Sequence, residues 1–147
     1  MFRLYQSTDQ PILIELMTEF YHSSAVLHPV PEAYFLHTCQ ELDANSPYAE
    51  AYIFEQEQSP AGYALLAKTY SNEAGGLVIW IEEAYIRPEY RGCGLGASFF
   101  SYIKDTYGKT AARLRLEVEE DNVAAMRLYE RLGYKRLDYV QMIQELL

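Results

Sequence analysis

The sequence predicts an α/β (α+β) fold in a single domain, with a mixed and mostly antiparallel central sheet flanked by helices. Segments rich in β-branched and aromatic residues alternate along the chain with segments of helical periodicity. The 147 residues are enough for one domain with a real core. Apolar residues make up 50% of the chain and aromatic residues 14%, which argues against disorder. We therefore expect residues 1–147 to form one domain.

The first strand and the first helix are predicted from residues 2–22. Phe2 to Ser7 shows the alternation of a strand that opens a sheet. Thr8 or Asp9 can cap a helix that carries Pro11 in its early turn. Apolar residues then recur at helical spacing as far as about His22: Ile12, Leu13, Leu16, Met17 and Phe20.

A linker, a second helix and a hairpin are predicted next. Residues 23–31 form the linker, and the second helix begins at Pro31 and Glu32 and reaches Leu42. Two strands follow over residues 49–55 and 61–70, with a turn over residues 56–60. This spacing is typical of a β-hairpin.

The central strand leads directly into a glycine-rich loop and a helix. Residues 77–86 (LVIWIEEAYI) are rich in β-branched and aromatic side chains, which suit a largely buried strand. Pro88 cannot donate a ladder hydrogen bond, so the strand should end before it. The loop over residues 87–94 then precedes a helix from Leu95 to Tyr107, which Gly108 ends.

The last part of the chain is predicted to form a strand, a helix and a strand. Residues 113–119 (RLRLEVE) alternate cleanly. Asp121 or Asn122 can cap a helix that ends at Gly133. The final strand is expected over residues 134–143.

The glycine loop indicates a site for phosphate. Gly92, Gly94 and Gly96 lack Cβ atoms, so backbone N–H groups can face one shared concavity. The start of a helix adds unpaired N–H groups and a partial positive charge, and Arg91 adds a cation. A simple turn is the alternative, which the arginine and the helix start disfavour. The loop also satisfies the G-x-G-x-x-G/A pattern of dinucleotide folds, but that pattern belongs to the first βα unit of several, and this loop lies two-thirds of the way along the chain.

Two motifs in this chain resemble those of the GCN5-related N-acetyltransferase (GNAT) superfamily. Residues 85–96 (YIRPEYRGCGLG) look like its acetyl-coenzyme A signature. Residues 122–129 (NVAAMRLY), followed by LGY at 132–134, resemble its N-x-x-A-x-x-L-Y…L-G-F pattern, with Tyr134 in place of the commoner phenylalanine. The resemblance covers nearly the whole chain and implies a single-domain GNAT-like fold.

The resemblance implies that acetyl-coenzyme A is the cosubstrate. Backbone amides of the loop would hold the pyrophosphate, and Arg91 would contact phosphate. The backbone of residues 84–86 would pair with the pantetheine arm in the manner of an added strand, and the Ile86 N–H could support the thioester oxygen. The implied coenzyme-binding residues are Ala84, Tyr85, Ile86, Arg91, Gly92, Cys93, Gly94, Leu95, Gly96, Ala97 and Asn122.

The resemblance also implies direct transfer of the acetyl group to an amine. Tyr129 shares a helix face with Asn122 and is the implied acid for the leaving thiolate. The general base is one of three carboxylates, acting directly or through a chain of water molecules, and the sequence does not select among them. Glu82 and Glu83 stand in an apolar strand, where a buried carboxylate is costly without a partner, and Glu117 matches a position that is the base in some protein-acetylating members. Alternation sends Glu82 and Glu83 to opposite faces, so at most one enters the cleft unless a β-bulge intervenes.

The sequence predicts the chemical class of the amine that accepts the acetyl group. The net charge of −9 disfavours nucleic-acid binding and is compatible with a cationic amine. The segment GYALLAKTY leading to IEEAYIRPEYRGCGLG resembles diamine and polyamine acetyltransferases, which carry adjacent acidic residues at the positions of Glu82 and Glu83. A protein N-terminus or lysine, an aminoglycoside and another small amine are the competing substrates. A coenzyme A-binding sensor without turnover is the competing class of function.

Neither a metal site nor a membrane span is expected. The three histidines and two cysteines are too scattered for ligand spacing. The apolar runs fall short of the ~18 residues of a membrane span, and the N-terminus lacks the apolar region of a secretory signal. The cytoplasm is therefore the expected location. Many members of the superfamily are dimers, so a homodimer is among the expected states.

Overall fold

The computed structural model describes residues 1–147 and divides them into two compact units, residues 1–117 and residues 118–147. The second unit contains one helix, α4 (Val123–Arg131). The first unit contains five strands and three helices: β1 (Phe2–Leu4), α1 (Gln10–Tyr21), α2 (Ala33–Asp43), β2 (Ala49–Gln56), β3 (Ser59–Ser71), β4 (Gly76–Ile86), α3 (Leu95–Tyr107) and β5 (Arg113–Leu116). None of the helices has the length and apolar character that crossing a bilayer requires.

The five strands form one sheet in the order β1-β2-β3-β4-β5. The first three pairings are antiparallel, and β4 pairs with β5 in parallel. The parallel pairing follows from the chain's path, because α3 carries the chain back from the end of β4 to the start of β5. The predicted mixed, mostly antiparallel sheet and the β2–β3 hairpin are both confirmed.

Successive side chains along the strands are buried on opposite faces of the sheet. Ile53 and Tyr63 face α1 and α2, where they join a core that includes Leu13, Leu16 and Phe35. The intervening residues of β2 face α3: the rings of Tyr52 and Phe54 lie 5.9 Å and 4.6 Å from that of Phe99, between centroids. The period of two along β2 therefore assigns α1 and α2 to one face of the sheet and α3 to the other.

Three predicted strands differ from the structure. The prediction of a strand over residues 134–143 is wrong, because residues 134–147 form neither helix nor strand. The first strand ends at Leu4, and residues 7–9 form a short 3-10 turn instead. β5 ends at Leu116 and not at Glu119, because its ladder with β4 covers only four residue pairs. Strand-like composition favours extended backbone, but a strand also needs a partner at the right place.

Candidate active site

The glycine loop presents a set of backbone N–H donors. Gly92 and Gly94 have φ values of 79° and 80°, a left-handed conformation that residues with a Cβ rarely adopt. Gly94 is the N-cap of α3, and the first backbone hydrogen bond of the helix is donated by the Ser98 N–H to the Gly94 carbonyl, 3.0 Å away. None of the N–H groups of residues 92–97 donates to a backbone carbonyl. The predicted anion site therefore has the required donors, at the positive end of a helix.

Arg91 is fixed beside this loop by two contacts with β4. Its Nε donates to the Ile86 carbonyl at 2.8 Å, and its guanidinium carbon lies 5.7 Å from the centroid of the Tyr85 ring. The Tyr85 hydroxyl in turn donates to Glu19 of α1 at 3.2 Å. These contacts hold a cation at the entrance of the loop while its other nitrogen atoms make no hydrogen bond with the protein.

The second half of β4 has an open backbone edge. The ladder with β5 covers Val78 to Ile81 and stops there, so residues 82–86 have no strand partner on that side of the sheet. On the other side, the Arg87 N–H donates to the Ala61 carbonyl, which makes that pair a hydrogen-bonded pair of the β3–β4 ladder. Because such pairs alternate with non-bonded ones, the N–H groups of Ala84 and Ile86 point away from β3 and toward the open edge.

A β-bulge brings the two adjacent glutamates together. Leu65 pairs with Glu83 and Leu66 pairs with Ile81, so Glu82 is an extra residue without a partner on β3. A bulge bends the strand and re-aims its side chains, which removes the strict alternation expected from the sequence. Both carboxylates act electrostatically on the Tyr21 hydroxyl and raise its pKa, in addition to the larger effect of burial. The sequence allowed the side chains of Glu82 and Glu83 to enter one cleft only if a β-bulge was present, and the structure contains that bulge.

Glu83 is held by two tyrosine hydroxyls. Tyr63 donates to one carboxylate oxygen at 2.8 Å, and Tyr21 donates to the other through a very short hydrogen bond. Burial raises the pKa of Glu83, and the two hydrogen bonds offset only part of that rise. Each oxygen of this carboxylate thus has a protein donor, and the side chain is fixed between α1 and β3.

Glu82 differs from its neighbour because it keeps access to solvent and accepts no hydrogen bond from the protein. Burial raises the pKa of Glu82, and repulsion from Glu83 and Glu117 raises it further. Glu117 directly follows Leu116, which pairs with Ile81, so Glu117 and Glu82 leave the ladder side by side. The three predicted carboxylates are therefore neighbours. The structure contains no group of three or more metal-ligating side chains that could hold a metal ion.

The remaining two candidates belong to residues 118–147. Asn122 is the N-cap of α4, and its side-chain oxygen accepts a hydrogen bond from the Ala125 N–H at 3.2 Å. The amide nitrogen of its side chain is not used in this cap. Tyr129 lies on the same helix with its ring 6.0 Å from that of Tyr134, and burial raises the pKa of the Tyr129 hydroxyl. Tyr129 is therefore protonated at neutral pH, as a proton donor must be.

The sequence profile of the Acetyltransferase (GNAT) family matches residues 12–134. The chain belongs to this family. It is 38% identical over 77 residues to a thialysine N-epsilon-acetyltransferase from Bos taurus, a match that covers 52% of this chain and 45% of that protein. The matched region thus spans about half the length of this curated relative. The prediction of the family from two short motifs is confirmed.

Solved structures show the same fold at lower sequence identity. A possible acetyltransferase from Clostridium difficile 630 superposes with a TM-score of 0.86 at 19% identity, covering 100% of this chain and 97% of that one. The aminoglycoside N-acetyltransferase AAC(6')-Iy, solved with the bisubstrate analogue CoA-S-monomethyl-acetylneamine, gives a TM-score of 0.80 at 14% identity, covering 100% of this chain and 98% of that one. These likenesses confirm the predicted GNAT-like fold.

Several residues of this GNAT-family site were not predicted from the sequence. Tyr21 and Tyr63 bond to Glu83 from 62 and 20 residues away, and no local pattern marks such contacts. Gly62 lies opposite Ile86, and a Cβ at Gly62 would collide with the Tyr85 carbonyl oxygen. A glycine inside an otherwise apolar strand was the one available signal, because it indicates close approach of another backbone.

Arg87 anchors the first helix of the site to the end of β4. Its guanidinium donates to Glu19 at 2.8 Å and to Glu15, and it also reaches the Pro60 carbonyl at 3.2 Å. This bond to Glu19 is the largest cause that keeps the pKa of Glu19 below its usual value. Because Tyr21 is on the same helix, this anchor also fixes the tyrosine that holds Glu83.

Proposed function

We propose that this GNAT-family protein is an acetyl-coenzyme A-dependent N-acetyltransferase that passes the acetyl group directly to a primary amine, with residues 1–147 acting as one catalytic domain. One observation carries the proposal: the open edge of β4 begins at a carboxylate-bearing bulge and ends at a loop of unpaired N–H donors. Such an edge can bind an extended ligand that is anionic at one end and reacts at the other.

The coenzyme would lie along this edge. The N–H groups of residues 92–97, together with Arg91, suit the pyrophosphate, because backbone donors at a helix start favour negative charge. The amide groups of the pantetheine arm would pair with the open N–H groups of Ala84 and Ile86. Asn122, in the unit of residues 118–147, is proposed as a further donor to the coenzyme. The Ile86 N–H is also a candidate donor to the thioester oxygen.

Glu82 is the carboxylate best suited to accept the proton of the ammonium acceptor. A general base needs a free oxygen and a pKa nearer to neutrality than that of an ordinary carboxylate. Glu82 accepts no hydrogen bond from the protein and has a raised pKa, whereas both oxygens of Glu83 already accept tyrosine hydroxyls. Glu83 would instead supply fixed negative charge, and Glu117 would raise the pKa of Glu82 through repulsion.

The proposed reaction balances with these groups. The acceptor ammonium loses one proton to Glu82, which passes it to solvent. The neutral nitrogen then forms a bond to the acetyl carbon, the bond from that carbon to sulfur breaks, and the nitrogen loses its second proton as the amide forms. The leaving thiolate would take a proton from the Tyr129 hydroxyl, which is protonated at neutral pH, and the second proton from the nitrogen would return through solvent to the tyrosinate.

The acceptor that we propose is a small cationic amine, of which polyamines are one example. Three neighbouring carboxylates at the bulge favour a cation electrostatically, and the net charge of −9 has the same sign. The Bos taurus relative is named a thialysine N-epsilon-acetyltransferase, and AAC(6')-Iy is named an aminoglycoside N-acetyltransferase. Peptide N-termini, peptide lysines and aminoglycosides therefore belong in the same test.

The test is acetyl-coenzyme A-dependent thiol release with polyamines, amino acids, aminoglycosides and peptides as acceptors. Turnover with one class should fall about 100- to 10,000-fold in Glu82→Gln and in Tyr129→Phe, while the affinity for coenzyme A stays unchanged. Glu73→Gln is the matched control, because it neutralises an exposed carboxylate in the turn before β4. Tight coenzyme binding without turnover of any amine would favour a sensor, and no coenzyme binding would refute the proposal.

A further inference from the structure

Arg115 and Trp80 form a stacked pair next to the proposed base. The guanidinium carbon of Arg115 lies 4.1 Å from the centroid of the Trp80 ring, and the two residues are paired across the β4–β5 ladder. Trp80 pairs with Ala67 and Glu83 pairs with Leu65, two residues apart on β3. Because residues two apart on a strand share a face, the stacked pair lies on the face that carries Glu83.

Arg115 is unusual among the five arginines of residues 1–117. Arg3, Arg87 and Arg113 each bond to a carboxylate within 3.3 Å. Arg91 does not, and it is the proposed phosphate ligand. Arg115 bonds to no carboxylate either, although three carboxylates lie farther along the same strands. Its guanidinium is thus oriented by an aromatic face while its hydrogen-bond donors stay unused, an arrangement that suits a planar anion.

The spacing relates this anion site to the reacting amine. Glu117 follows Arg115 by two residues, one residue past the end of β5, which is about 6 to 7 Å in extended backbone. Glu82 follows Trp80 by two residues on the neighbouring strand. A ligand whose amine reaches Glu82 would therefore reach Arg115 with a group several bonds away from that amine.

We propose that Arg115, oriented by Trp80, binds a carboxylate of the acceptor, and that the acceptor is an amino acid with a side-chain amine. This inference rests on the proposed function, because it assigns the far end of the same substrate. A diamine or polyamine would bring a second cation against Arg115, where the two charges repel, whereas a carboxylate there forms a charge-assisted, bidentate hydrogen bond. Arg115 is therefore the residue that selects among small cationic amines.

The test compares L-lysine with two acceptors that each lack one of its groups. L-lysine carries a carboxylate, an α-amine and a side-chain amine; aminocaproate lacks the α-amine; cadaverine lacks the carboxylate. We expect kcat/KM for lysine and aminocaproate to exceed that for cadaverine by about tenfold or more, since a charge-assisted hydrogen bond of this kind is worth that factor. In Arg115→Gln the preference should vanish through a higher KM for lysine, which loses its ion pair, and a lower KM for cadaverine, which no longer meets a like charge.

Arg113→Gln is the matched control, because it removes the same charge two residues earlier on the same strand and face. Arg113 is bonded to the exposed Glu73, and we expect its removal to leave the preference intact. Arg115→Lys keeps the charge without the planar fork and should give an intermediate preference, which covers the case in which Arg115→Gln is unstable. Equal preference in the Arg115 and Arg113 variants, or wild-type preference for cadaverine, would overturn the inference alone. Absence of turnover with these three acceptors, when another acceptor of the wider panel is acetylated, would also overturn the inference alone. Absence of turnover with every polyamine, amino acid, aminoglycoside and peptide would overturn the proposed function as well.

Discussion

Replacing Gly94 by alanine is a direct test of how the glycine loop works. Gly94 has a φ of 80°, and a Cβ at this position would meet no atom within 4 Å. The substitution therefore adds no clash, and its effect is purely conformational. An L-residue in the left-handed region costs roughly 1–2 kcal/mol relative to glycine.

This strain must appear either in folding or in binding. If the exposed loop relaxes in the free protein, the strain is restored when the coenzyme draws the loop back into the conformation of the structure. An energy of about 1–2 kcal/mol corresponds to a 5- to 30-fold loss of affinity for coenzyme A. Isothermal titration of Gly94→Ala with coenzyme A measures this loss, and denaturant unfolding measures any remainder.

Gly75 supplies the control for this experiment. It has a φ of 77°, also has open space around its Cβ position, and lies in the turn between β3 and β4. Gly75→Ala carries the same strain and the same entropic change in the unfolded chain, but should leave coenzyme affinity unchanged. Wild-type affinity in Gly94→Ala together with an unchanged free energy of unfolding would refute the assignment of the loop as the pyrophosphate site, because the strain would then appear in neither process.

Three further predictions concern the base, the strand next to it and the stability in acid. Glu117→Gln removes a repulsion that raises the pKa of Glu82, so the acidic limb of the kcat/KM profile should move to lower pH; loss of activity would identify Glu117 as the base. Gly62→Ala forces a collision with the Tyr85 carbonyl and should lower the free energy of unfolding by about 1–3 kcal/mol, measured in denaturant; an unchanged midpoint would contradict the close approach. Arg3 lowers the pKa of Asp9, so this pair stabilises the fold above the unfolded-state pKa of about 4 and loses that effect as pH falls further. Asp9→Asn should therefore flatten the acid side of the stability profile, and an unchanged profile would contradict the pairing.

The parts of the site that follow from neighbouring residues were predictable from the sequence. The loop from Arg91 to Gly96 and the N-cap Asn122 are local features, because glycine placement and capping chemistry act within a few residues. In the structure Gly92 and Gly94 are left-handed, and Asn122, one of the two predicted caps, is the N-cap of α4.

The parts that depend on long-range pairing were not predictable. Only the register of β3 against β4 shows that Glu82 is a bulge residue, and only the packing of α1 brings Tyr21 to Glu83. Trp80 and Arg115 meet because β4 and β5 pair in parallel across a helical crossover. The prediction of a strand over residues 134–143 was wrong for the same reason: composition indicates an extended segment, but it does not show whether another strand pairs with it.

The central claim is that an amine takes the acetyl group directly from the coenzyme. The most direct measurement is mass spectrometry of reactions containing acetyl-coenzyme A, the protein and one amine at a time (lysine, a polyamine, an aminoglycoside or a peptide), with a parallel sample that lacks the amine. Direct transfer yields free coenzyme A and acetylated amine in equal amounts, and no acetylated protein when the amine is absent. Acetylated protein in the sample without amine, or coenzyme binding that yields no acetylated product with any amine, would contradict it.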